Sequence, residues 1–118
     1  MTIKEKVASR ELSEKLWKLG YRLESEFYYT KKGEIVSKIG SCRPDDISAP
    51  LPVELAEILP DGLDYGKNVY KPKEKAFYCS WHKEHAYYST NLANSLAKML
   101  IWLTMNGLIK PQEARDES

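Results

Sequence analysis

"AFYCSWHKEHAYYST", residues 76–90, is either one helix or a pair of strands, and the topology of the chain follows from which. It carries both histidines of the chain and one of its two cysteines. Coiled into a helix, it would bring the Cys79 sulfur and the His82 ring toward a shared point. Extended, it alternates: Phe77, Cys79 and Trp81 take one face, and Tyr78, Ser80 and His82 take the other. The residues are largely aromatic and small, without a 3.6-residue apolar stripe, which favours strand. We therefore read Ala76–His82 and His85–Thr90 as two strands joined at Lys83-Glu84. The thiol and the first imidazole then look away from each other.

That reading ranks the chemistry of the stretch. Cys-x2-His-x2-His has ligand types suited to zinc, but a zinc site takes four ligands, or three and a water. Cys42 would have to supply the fourth, from a distant connector. His82 and His85 bracket a tight turn and are the alternative metal-binding pair. Surface-turn histidines are the simpler account, and no cofactor is expected. A Cys/His nucleophile pair meets the same alternation and has no orienting third group. Cys79, in line with Phe77 and Trp81, reads as a small buried hydrophobe. There is no glycine-rich phosphate loop, no nucleophile elbow and no HExxH. Asp45-Asp46 sits in a proline-rich connector, where turn chemistry explains it. The expectation is a protein that is not an enzyme.

"SRELSEKLWKLG" (9–20) predicts a helix. Ser9 is its cap, Gly20 its stop, and Leu12, Leu16 and Leu19 lie on one face. Glu11–Lys15 and Glu14–Lys18 are spaced for ion pairs. Phe27–Thr30 and Glu34–Ile39 flank a Lys-Lys-Gly turn and read as a hairpin. "SCRPDDISAPLP" (41–52) reads as an irregular connector, because its three prolines deny helix and inner strand. "PVELAEILP" (52–60) is a short helix. "DGLDYGKN" (61–68) reads as turning at Gly62 and Gly66, with Asn68–Lys71 as the next strand. "TNLANSLAKMLIWLTMNG" (90–107) is a helix whose stripe of Leu92, Leu96, Met99, Leu100 and Leu103 faces the core. The order is α-β-β-α-β-β-α. Each helix has one apolar stripe, so about three helices pack on an antiparallel sheet of two hairpins, an α+β fold. The expectation is one domain over 1–118, with flexible ends at 1–7 and 111–118.

Composition narrows the partners. Lys and Arg number 18 against 17 Asp and Glu, which does not suit a long nucleic-acid tract. The longest apolar run, Met99–Leu103, is far short of a membrane span, and "MTIKEKVASRE" lacks a signal-peptide core. Two cysteines without such a signal read as reduced thiols, hence a cytoplasmic protein. Two features exceed what a core needs. Ile101, Trp102 and Met105 fall outside the stripe of the last helix and are candidate contacts for a protein partner or for self-association. The alternative is cover by residues 40–52 or the N-terminal segment. Lys31 and Lys32, with Lys71, Lys73 and Lys75, gather near Tyr28, Tyr29, Tyr70 and Tyr78 if both turns lie at one end of the sheet. Such a patch suits single-stranded nucleic acid; lysines that keep sheet edges soluble are the plainer account.

Three stretches, "ASRELSEKLWKLGYRLESEFYY" (8–29), "APLPVELAEILPDGL" (49–63) and "YYSTNLANSLAKMLIWLTMNGLI" (87–109), together resemble a family of small uncharacterised proteins encoded by bacteriophages and prophages. The resemblance lies in Leu19-Gly20, Glu24-Ser25, Val53–Pro60 and Ala97–Trp102. These motifs are structural, so the resemblance assigns no functional residue. It implies a phage-type accessory protein acting in a bacterial cytoplasm.

Overall fold

The computed structural model describes residues 3–21, 24–37, 46–60, 62–67, 76–82 and 85–110. Four helices, α1 (Ile3–Lys6), α2 (Arg10–Leu19), α3 (Pro52–Ile58) and α4 (Leu92–Met105), alternate with six strands. The strands are β1 (Phe27–Tyr29), β2 (Ile35–Ser37), β3 (Ile47–Ser48), β4 (Leu63–Lys67), β5 (Phe77–Trp81) and β6 (His85–Ser89). The fold is α+β, and the two hairpins sit in separate antiparallel sheets ordered β2-β1-β3 and β4-β5-β6.

Local chemistry accounts for the helix ends. The Ser9 hydroxyl accepts from the Leu12 N–H at 3.3 Å, and Gly20 closes α2 at φ 109°. Leu16 is buried, with Leu12 and Leu19 packed beside it. Glu11 reaches Lys15 at 3.9 Å, but Glu14 pairs with Arg10 at 3.0 Å rather than with Lys18. The cap of α4 is Asn91, where the sequence suggests Thr90 or Ser89, because its amide oxygen accepts from Ala93 and Asn94 N–H. Its amide nitrogen donates to the Val7 carbonyl at 2.8 Å, which explains why Asn91 is buried rather than wet. Val7 is fully buried directly after α1, within a stretch read from sequence as a loose end.

Two strand assignments differ from the sequence reading. Residues 63–67 form β4, paired from Leu63↔Trp81 to Lys67↔Phe77, where two turns were expected. Only Gly62 turns; Gly66 lies inside the strand. The expected strand Asn68–Lys71 lies outside the described residues. The connector contributes β3, whose Ile47 and Ser48 pair with Tyr29 and Tyr28 in the gap before Pro50.

The main core lies between α4 and the face of β5 and β6 that carries Cys79 and Tyr87. Leu96, Met99, Leu100 and Leu103 of α4 are fully buried there. α2 and α3 both pack against α4. A second cluster of Val7, Tyr29 and Ala49 holds the first sheet to the start of α2, and the Tyr29 hydroxyl donates to the Ala8 carbonyl at 2.7 Å. Among the described residues no helix is long and apolar enough to cross a membrane.

Candidate protein-binding face

The strand pair at the centre of the sequence answers the question its residues pose. β5 is extended through Trp81, and His82 turns the chain at φ 51°, one residue earlier than expected. Cys79 is fully buried in the cluster of Leu96, Met99 and Leu100. Burial, and then the charge of Asp64, push its thiol up to about 12, so it stays protonated at neutral pH. His82 is exposed and meets the Trp81 ring edge-on at 4.2 Å. His85 stacks on Trp102 at 4.0 Å with the rings 12° from parallel, and Tyr87 meets it edge-on at 4.9 Å. The two imidazoles therefore take separate aromatic partners instead of facing each other. Among the described residues no three Cys, His, Asp or Glu side chains gather as metal ligands. Nε2 of His85 is buried without a hydrogen-bond partner there.

The surplus residues of α4 divide. Trp102 is half-buried with His85 of β6 stacked on it, while residues 40–45 of the expected connector lie outside the described residues. Ile101 is half-buried beside α2. Met105, one turn beyond Ile101 on the same side of the helix, is 74% exposed. Leu108, which sequence reasoning missed, is 53% exposed just past the helix end.

Ile101 opens into a groove of about 430 Å³ between α2, α4 and β6. Leu12 and Tyr87 wall it with Ile101, and Lys15, Lys98 and Glu11 supply its charge. Burial raises the Tyr87 phenol above its ordinary range. β6 itself is the outer strand of its sheet. A second, larger cleft of about 1110 Å³ runs past Tyr29, Leu51, Val53, Phe77 and Leu92. Lys6 and Arg10 both line it, and Arg10 is already engaged: its guanidinium holds Glu14 and donates to the Lys31 carbonyl at 2.9 Å.

Of the five lysines of the expected patch, two fall within the described residues. Lys31 and Lys32 are exposed at the β1–β2 turn, while Lys71, Lys73 and Lys75 lie outside the described residues. Tyr29 is buried, so its ring is no stacking platform. Tyr78 belongs to the other sheet and donates to Asp64 at 3.2 Å. Desolvation first, and that carboxylate second, push its phenol up.

No protein-family model, curated protein or solved structure matches the chain.

Proposed function

We propose that this chain is a non-enzymatic binding module that holds another protein against β6, the α2–α4 groove and the C-terminal end of α4. The observation that carries the reading is that Met105 and Leu108 are both large, apolar and exposed at the end of the helix whose Ile101 lines the groove. Large exposed apolar side chains suit a partner surface, and a lone monomer gains nothing from them. The protonated, buried state of Cys79 supports a role outside nucleophilic chemistry. The resemblance of its helix motifs to those of phage-encoded proteins supports an accessory role in a bacterial cytoplasm.

Site-specific photo-crosslinking tests this. A photoreactive residue replacing Met105 should give one discrete adduct in cells, and the same residue replacing exposed Lys32 on the other sheet should give none. Equal adducts from both positions, or none from 105, would remove the reading.

A further inference from the structure

We infer that the outer edge of β6 accepts an extended segment of the partner protein as a fourth strand, and that the side chain this strand places beneath α2 is acidic. The inference rests on the binding-module reading above and names the partner's chemistry.

The demand comes from the backbone. Among the described residues β6 pairs with β5 alone, and no hydrogen bond joins its outer side to anything else. A free edge of this kind is a template for strand addition. Proteins usually blunt such edges with charge, proline or a bulge. β4, the opposite edge of the same sheet, carries Asp64, Gly66 and Lys67. β6 reads His-Ala-Tyr-Tyr-Ser and has none of these guards.

The space is present too. α4 packs on both β5 and β6, and α2 packs on α4 along the groove that Tyr87 lines. Packed helices lie about 8–10 Å apart and neighbouring strands about 4.8 Å apart. The axis of α2 therefore falls roughly one to two strand spacings outside β6, above the place an added strand would take. The groove is the room left under that roof.

The same overhang argues against a second copy as the occupant. A two-fold pairing of β6 with itself would put the other copy's α4 over its own β5 and β6. That helix would need the space beside α4 where α2 packs in this chain.

Charge selects the occupant. Among the described residues Lys15 and Lys98 line the groove against Glu11 alone. Glu11 lies 3.9 Å from Lys15, and Lys98 has no ion pair among the described residues. One cation is left over beside apolar walls from Leu12, Ile101 and Tyr87. An aspartate or glutamate fits there, its stem against the walls and its carboxylate at Lys98. Strand alternation sends the neighbouring side chains to the other face, beside Ala86 and Tyr88.

Selection of random eight-residue peptides against the immobilised full chain tests this. Recovered peptides should alternate strand-forming residues around one acidic position. Changing that acid to its amide should weaken binding by about tenfold, the loss expected of one charge-assisted contact. Selection against the Lys98→Glu variant should recover Lys or Arg at the same position; Lys98→Gln serves if the reversal unfolds the chain. Hydrogen exchange with a recovered peptide bound should slow at the amides of 85–89. Peptides that bind with no charge preference, or that protect only the region of Met105 and Leu108, would overturn the strand-addition inference and leave the binding module standing. Recovery of no peptide above a blank surface would overturn both.

Discussion

Replacing Cys79 by alanine tests both the extended reading of β5 and the inertness of its thiol. At pH 7 the variant should lose about 1 kcal/mol, the packing of one buried sulfur. The loss should shrink as the pH rises. In the unfolded chain the thiol ionises near its ordinary 9.0, whereas burial holds the folded thiol to about 12. The unfolded state thus releases a proton that the folded state keeps, so stability is complete below pH 9 and falls as the pH climbs toward 12. At pH 10 the parent should have lost about 1.4 kcal/mol through this one group, and the alanine variant nothing through it. Parent and variant should then be nearly equal at pH 10. The phenols of Tyr29 and Tyr87 are also raised by burial and add their own alkaline loss, but equally in both chains, so they cancel in the difference. Urea unfolding under reducing conditions, followed by tryptophan fluorescence at pH 7, 8, 9 and 10, reads the gap directly. A gap constant to within about 0.4 kcal/mol across that range would refute the buried, protonated thiol, since uncertainty of that order is all that distant effects contribute.

Glu54 is the polar hinge between α3 and the first sheet: its carboxylate accepts from the Leu51 N–H at 2.9 Å, the Ser25 hydroxyl at 2.6 Å and the Glu26 N–H at 3.2 Å. Glu54→Ala should cost about 2–4 kcal/mol in urea unfolding, and Glu54→Gln about half as much, because the amide oxygen still caps Leu51. Gly62 turns at φ 98°, where an added Cβ would stand 3.0 Å from Cε1 of His82. Gly62→Ala should cost about 1–3 kcal/mol, and a further His82→Ala change should restore little of it, because the cost lies in the backbone and the exposed ring can swing aside.

Where one physical rule dominated, the sequence was readable. The 3.6-residue stripe of α4 and the cap and stop of α2 emerge as written, because burial and capping act over a single turn. Alternation in β5 placed Cys79 in the core for the same local reason. The misreadings share one cause, which is that long-range pairing overrode local preference. Asp64 and Gly66 disguise β4 as a turn, and only its ladder with β5 makes it a strand. Ile47-Ser48 is strand only because Tyr28 and Tyr29 lie opposite. The groove was not legible, since Lys15 and Lys98 stand 83 positions apart in the chain. The open edge of β6 was half legible: the run His-Ala-Tyr-Tyr-Ser shows no guard, but nothing in it says that the strand is outermost.

A groove beneath α2 persists only if α2 cannot settle onto β6, and the structure shows what holds it off. Its N-terminal end is tied to α4 where the Ser9 N–H donates to the Asn94 side-chain oxygen at 2.7 Å. Just past its C-terminal end, the hydroxyl of buried Tyr21 lies 2.7 Å from that of Thr104. Two polar ties, one beside each end of the helix, fix its height and angle over the sheet, which an apolar seam alone does loosely because dispersion and burial are non-directional. Tyr21→Phe should cost about 1 kcal/mol, since the Thr104 hydroxyl keeps its bond to the Leu100 carbonyl at 2.8 Å. Asn94→Ala should cost about 1–2 kcal/mol, because it strands the Ser9 N–H. Each single variant should keep its fold. The double variant should lose more than the sum, because with both ties gone α2 is free to drop into the groove. Unfolding of the two singles and the double supplies the cycle, and a strictly additive double would mean that the apolar seam by itself sets the position of the helix.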